Sequence, residues 1–252
     1  MINLIISGCN GKMGGVISRL ALDDENIKVV CGFDINTDKK YGYDVFAIPE
    51  EFEGKADVII DFSHPLMTEK VLKYAENTNT PVVVATTGLS DEQRENLNKA
   101  AEKTAVFFSA NMSLGVNLLI ELVSQAAKVL EEKFDIEIIE KHHNQKIDAP
   151  SGTALAIADA INEALANKKE YVYDRHSVRK KRSETEIGMH TVRGGTIVGE
   201  HDVIFAGNNE IVTLSHTATS REIFAEGAVK AAKYLASKSA GMYNMNSLIN
   251  EI

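Results

Sequence analysis

A chain of 252 residues is long enough for two modest domains or one large one. With 44% hydrophobic and 25% charged residues it has an ordinary globular composition, and a formal net charge of −9 argues against a nucleic-acid-binding surface while leaving room for a local basic pocket. Two cysteines, Cys9 and Cys31, suggest neither a disulfide framework nor a metal knuckle, and are expected to be reduced thiols in a cytoplasmic protein.

Ile2–Ser7 is a continuous apolar run, as expected for a strand buried on both faces of a parallel sheet. No basic n-region precedes it, and no run of about 18 apolar residues is present that could span a membrane. Gly8, Cys9, Asn10, Gly11, Lys12, Met13, Gly14 and Gly15 then form a glycine-rich turn, a helix is expected from Val16, and a second strand over Ile27–Phe33 leads to Asp34. This is the layout of a dinucleotide-binding unit. Gly8 permits the turn, Gly11 lets the backbone approach a pyrophosphate, and Gly14 lets helix and strand pack closely. Asp34 can accept hydrogen bonds from both hydroxyls of an adenosine ribose; a plain turn with a solvated Asp34 is the competing reading. Asn10 stands where the commoner fingerprint has glycine. No basic residue follows Asp34 until Lys39 and Lys40, which favours NADH, with NADPH tolerated if either lysine swings toward a 2′-phosphate.

Further strands are expected at 56–62, 81–85 and 105–109, with helices at 67–77 and 91–103 between them. The alternation predicts an α/β fold with a doubly wound parallel sheet, whose ligands lie beyond the carboxyl ends of the strands. Ala85, Thr86, Thr87 and Gly88 occupy one such end, and Ser109, Ala110, Asn111 and Met112 another; on spacing alone each could be an ordinary loop. Residues 115–133 read as an amphipathic helix.

A strand begins at Phe134, where Phe134, Ile136 and Ile138 alternate with Asp135 and Glu137, and an alanine-rich helix is expected from Ala154. Lys141, His142, His143 and Lys146 fall in the connecting loop, four groups able to carry positive charge beside a helix start whose N–H groups attract anions. Such a pocket could hold carboxylates and deliver a proton. His142 suits a general acid by residue type, and flanking cations would lower its pKa. Adjacent histidines point apart in a strand and lack a partner at ligand spacing, so no metal is expected. Residues 170–219 give short alternating segments broken by Gly194-Gly195 and Gly207-Asn208-Asn209, the pattern of an antiparallel meander. Within them Arg175, Arg179, Lys180, Lys181 and Arg182 make one basic run, expected to be a solvated flexible loop, with an anion or nucleic-acid contact as the alternative. A helix over 224–235 should return to the first domain, and the tail beyond 242 carries no signal. The domains expected are 1–111 with 223–252, binding the dinucleotide, and an α+β domain at 112–222 for substrate and oligomerisation.

Residues 137–154 read E-x-x-E-x-H-x-x-x-K-x-D-x-P-S-G-T-A, which resembles the signature of the 4-hydroxy-tetrahydrodipicolinate reductase family, also called dihydrodipicolinate reductases. The segments 85–88 and 109–112 resemble that family's nicotinamide-side loops, and the run Arg193–His201 resembles the family too, where its Val198-Gly199-Glu200-His201 turn recurs, so the likeness covers essentially the whole chain. The resemblance implies a Rossmann-like fold and an NAD(P)H-dependent reduction of a small cyclic dicarboxylate in diaminopimelate and lysine biosynthesis. It also implies hydride from the nicotinamide, a proton from His142 or Lys146, and substrate contacts from His143, Gly152 and Thr153. The cofactor would meet Gly8–Met13, Asp34, Ala85–Thr87 and Ser109–Met112 in one domain, and closure would bring it to the substrate. Family members favouring NADPH often place arginine after the acidic residue, and Ile35 departs from that. A homotetramer without membrane or nucleic-acid partners is implied. Glu137 and Glu140 read equally as partners behind the site or as solvated positions. Two rival readings are another two-domain dehydrogenase, acting on an amino acid or semialdehyde, and an NADH-sensing DNA-binding regulator.

Overall fold

In the computed structural model, which describes residues 1–166 and 168–251, the chain divides into two units, 1–114 with 222–252 and 115–221. The first unit begins with strands β1 (Ile2–Ser7), β2 (Ile27–Phe33), β3 (Val45–Phe46), β4 (Val58–Asp61), β5 (Val82–Val84) and β6 (Ala105–Phe108), and helices α1 (Lys12–Leu22), α2 (Pro65–Thr78) and α3 (Asp91–Ala101). All the strand pairs are parallel, with β1 between β2 and β4. The strands read as unbroken apolar runs because both faces are covered. Leu4, Ile6, Val58, Ile60 and Val83 join Ile17 and Ala21 of α1 in one core, while Ile5, Ile59, Val82 and Val84 join Val71 and Ala75 of α2 and Leu97 and Ala100 of α3 in another.

Helix α1 starts at Lys12 rather than at the expected Val16. Gly8 turns the chain at φ +77°, and a Cβ on Gly14 would lie 2.0 Å from the Gly8 carbonyl oxygen, so only glycine lets the first helical turn close against the strand end. Helix α3 is mostly polar, yet it is defined at its start by a reciprocal capping box between Ser90 and Gln93.

The second unit comprises α4 (Leu114–Leu130) from its second residue on, β7 (Asp135–His142), α5 (Gly152–Ala164), β8 (Glu170–Val172), β9 (Glu186–Arg193), β10 (Gly199–Ala206) and β11 (Ile211–Ala218). Its sheet order is β11-β10-β7-β9-β8. The expected antiparallel meander is therefore corrected to a mixed sheet. β10 runs antiparallel to β7 and β11, but β9 pairs in parallel with β7 on one side and β8 on the other. β7 separates β9 from β10 because its buried positions Ile136 and Ile138 belong at the centre of the core, against Val123 and Ala127 of α4 and Ile157 and Ile161 of α5.

Helix α6 (Ile223–Leu235) returns to the first unit and packs Ala225, Ala228 and Ala232 into the core that holds α1. The tail, silent in sequence, adds β12 (Gly241–Tyr243) beside β6 and a short helix α7 (Met245–Ile249), completing a seven-stranded parallel sheet in the order β12-β6-β5-β4-β1-β2-β3. Among the described residues no helix is long and apolar enough to cross a membrane.

The basic run also departs from expectation. Arg182 donates from Nε to Glu137 at 2.9 Å, from Nη1 to Asp135 at 2.8 Å, and from Nη2 to the carbonyls of Ile136 and Glu186 at 3.0 and 2.6 Å. Arg175 pairs with Glu186 at 2.7 Å and Glu137 at 3.2 Å. The run is thus pinned across β7 and β9. Arg182→Ala should cost about 2–4 kcal/mol in urea unfolding, since it strands several part-buried acceptors, whereas Lys181→Ala on the exposed side should stay within about 0.5 kcal/mol. Equal losses from the two would refute the pinning.

Candidate active site

In the first unit the turn after β1 is tied to the end of β2 and the loop beyond it by two side chains, Asn10 and Asp34. The Asn10 backbone N–H donates to Asp34 Oδ2 at 2.9 Å, and Asn10 Nδ2 donates to the carbonyls of Asn36 and Asp38 at 2.6 and 3.0 Å. Asp34 Oδ1 accepts the Asn36 N–H at 3.0 Å. The residue that breaks the glycine fingerprint therefore sets the shape of the loop after Asp34. Gly11 caps α1 without a side-chain hydrogen bond, so the α1 start has the form of an anion cradle, with Lys12 exposed at its first position and Met13 half-buried. The Cys9 thiol faces inward, where burial pushes it up to about 11 and a Cβ at Gly32 would strike its sulfur, so Cys9 can meet a ligand only through its backbone.

At the carboxyl ends of β4 and β5, the fully buried Asp61 accepts from Ser63 Oγ at 2.5 Å, Thr68 Oγ1 at 2.6 Å and Thr86 Oγ1 at 2.9 Å. Thr86 Oγ1 in turn accepts the Ser63 N–H at 3.2 Å. The loop that follows, with Ala85, Thr86 and Thr87, lines a cavity of about 350 Å³ together with Ser109, Ala110, Asn111 and Met112. Both loops singled out in sequence thus share one wall of one cavity. These features fit a dinucleotide: a glycine turn at a helix start, a carboxylate at the neighbouring strand end, and a cavity beyond the next strands.

In the second unit the buried face of β7 continues from Ile136 and Ile138 to Glu140 and His142. The strand runs on to His142, so Lys141 and His142 belong to the strand and not to the loop. Lys141 points to the other face and pairs with Glu200 at 2.9 Å and Asp202 at 3.1 Å. Glu140, 1% exposed, accepts five hydrogen bonds. They come from His142 Nδ1 at 2.6 Å, both Arg193 Nη atoms at 2.8 Å, the Ser151 N–H at 3.0 Å and Thr191 Oγ1 at 3.1 Å. Burial works against the charge, yet the Arg193 and His142 hydrogen bonds overcome it and hold the carboxyl down to about 2. An ionised Glu140 can only accept, so His142 carries its hydrogen on Nδ1 and presents Nε2 for exchange. The group in direct contact with His142 is a carboxylate, not a cation.

His201 stacks edge-on to His142 with ring centroids 5.2 Å apart and lies 3.1 Å from Ser151 Oγ. Burial, then His142, push its pKa down to about 4, so it is neutral at neutral pH. Ser151 caps α5 by accepting the Ala154 N–H, with Gly152 exposed and Thr153 half-buried in the first turn. Lys146 pairs with Asp148 at 2.9 Å, and His143 Nε2 meets Arg221 Nη2 at 3.1 Å. Among the described residues no group of three His, Cys, Asp or Glu side chains is placed to hold a metal.

Sequence reasoning missed Thr191 and Arg193 as partners of Glu140 and His201 as a neighbour of His142. The register supplies them: Glu140 stands opposite Thr191 on one side and His201 on the other, and His142 opposite Arg193. Period-two spacing of Thr191 and Arg193 was the available signal, but not which strand they faced.

Family models described as dihydrodipicolinate reductase, N-terminus and C-terminus, match residues 2–112 and 115–249. The chain belongs to the dihydrodipicolinate reductase family. It is 54% identical to the 4-hydroxy-tetrahydrodipicolinate reductase of Caldanaerobacter subterraneus subsp. tengcongensis, over 100% of this chain and 99% of that protein. It is 46% identical to the one from Clostridium novyi, over 99% and 98%. The dipicolinate-bound dihydrodipicolinate reductase of Paenisporosarcina sp. TG-14 superposes with a TM-score of 0.82 at 27% identity, covering 98% of this chain and 99% of that one. The protein is thus an oxidoreductase of a pyridine-nucleotide-dependent reductase family, which replaces both rival readings.

Because Glu140 is depressed on folding, its stabilisation is present in full above about pH 4.5 and is lost as pH falls toward 2. Wild type should lose about 3 kcal/mol of unfolding free energy to this group over that window, and Glu140→Gln should show a correspondingly shallower slope in urea titrations. Identical slopes would mean the carboxylate is not held ionised by Arg193 and His142.

Proposed function

We propose that the protein reduces 4-hydroxy-tetrahydrodipicolinate to tetrahydrodipicolinate and water in diaminopimelate and lysine biosynthesis, consuming one NADH and one proton. The observation that carries this reading is an imidazole locked by a buried carboxylate, on the same anchor as a helix start and a lysine-bearing loop. The bound nicotinamide supplies the hydride. The backbone of Gly8–Met13 receives the pyrophosphate and Asp34 the ribose hydroxyls, while Ala85–Thr87 and Ser109–Met112 receive the nicotinamide end.

His142 gives the proton from Nε2, since Nδ1–H is engaged with Glu140, and Glu140 stabilises the imidazolium before transfer. Lys146 and the first turn of α5, Gly152 and Thr153, hold a substrate carboxylate, and His143 with Arg221 lies ready for a second polar contact. His201, kept neutral by burial, cannot act as the proton-giving acid at neutral pH and serves to wall the imidazole.

NADH is the proposed cofactor, because the loop after Asp34 presents Asp38 and the carbonyls held by Asn10, and Lys39, one of its two cations, is paired with Asp44. The free buried thiols of Cys9 and Cys31 suit the cytoplasm. Exposed Ile211 and Val212 on the edge strand β11 suit burial between copies in a homotetramer, which light scattering would read as four 27.6 kDa chains.

With the aspartate-semialdehyde–pyruvate condensation product as substrate, purified protein should oxidise NADH with a higher kcat/KM than NADPH. No turnover with either would overturn the reading, and a preference for NADPH would overturn the cofactor choice. His142→Ala should lower kcat by about 100-fold or more with a modest change in KM, and a near-normal kcat would remove His142 as the donor.

A further inference from the structure

Asp148 lies in the loop between β7 and α5, two residues after Lys146. Its Oδ1 is 2.9 Å from Lys146 Nζ, and the nearby Gly152 N–H in the first turn of α5 joins Lys146 in lowering its pKa. These are the donors assigned above to a substrate carboxylate. A carboxylate of the chain itself therefore occupies the place where a ligand carboxylate is expected. Its backbone is fixed by Arg193, whose Nη2 donates to the Asp148 carbonyl. Its side chain, in contrast, is 57% exposed, so the carboxylate can rotate into solvent while the main chain stays.

We propose that Asp148 is a specificity-determining residue: a tethered carboxylate that fills the anion seat of Lys146 and Gly152 in the free protein, shuts out small monoanions, and yields only to a ligand with a second anchor. The inference rests on the reading of Lys146 and Gly152 given under the proposed function. Tethering gives the Asp148 carboxylate an effective concentration on the order of millimolar or more at the seat. A free monocarboxylate offers the seat nothing that Asp148 does not already offer, so it competes poorly. A ring bearing two carboxylates adds contacts elsewhere in the pocket and displaces the side chain. Discrimination then arises from a built-in competitor rather than from pocket shape alone.

The test is calorimetric titration of the full chain, wild type against Asp148→Asn and Asp148→Ser, with dipicolinate and with acetate as probes. Removing the resident charge should tighten dipicolinate by about 10-fold and bring acetate into measurable, dipicolinate-competitive binding, as expected when a preoccupying group worth about 1.4 kcal/mol is lost. Weaker or unchanged dipicolinate binding in both variants, with melting temperatures close to wild type, would overturn the proposal and leave Asp148 as a brace for Lys146. Lys146→Ala separates this from the reading beneath it. If that variant binds dipicolinate as wild type does, the seat itself is misassigned; if it loses dipicolinate while the Asp148 variants gain nothing, only the role of Asp148 fails.

Discussion

An ionised carboxylate taken out of water is unfavourable by several kcal/mol unless donors occupy its lone pairs. Glu140 meets that condition with donors from three elements: His142 on its own strand, Thr191 and Arg193 on β9, and the Ser151 N–H at the start of α5. The bidentate Arg193 supplies the counter-charge in a planar geometry that lysine could not reproduce. One side chain therefore joins the central strand, its parallel neighbour and the helix that covers them. The imidazole and the helix start cannot drift apart without stranding this charge. The geometry proposed for proton delivery and carboxylate binding depends on that single anchor.

The anchor exists because a strand alternates. Ile136, Ile138, Glu140 and His142 share the buried face of β7, so the hydrophobic core passes without a break into the polar site. The opposite positions Glu137 and Lys141 are settled by ion pairs with Arg175, Arg182, Glu200 and Asp202. The first unit uses a related device. Asp61 ends the buried strand β4 and gathers the hydroxyls of Ser63, Thr68 and Thr86, which shapes the loops around the cavity. There the donors to the carboxylate are neutral hydroxyls.

Departures from the local pattern mark the places where the structure needed something unusual. Asn10 replaces a fingerprint glycine and brackets residues 36 and 38, which keeps the loop after Asp34 in one shape. Arg175 and Arg182 interrupt a polar connection and tie it across β7 and β9. Their charge looks like a surface feature in sequence and is a structural one in space.

What the residues determined by themselves was local. Apolar runs over Ile2–Ser7 and Ile27–Phe33, the Gly8-to-Gly14 turn with Asp34, and the dense segment 137–154 each carry their meaning within a few turns of chain, where propensity, glycine sterics and spacing act. The order β11-β10-β7-β9-β8, the pairing of Glu140 with Arg193, and the last strand at Gly241–Tyr243 were decided only in three dimensions. Strand order and register follow from competition among distant segments for burial. Whether a charge in such a strand ends in water or in the core depends on which neighbour wins the place beside it.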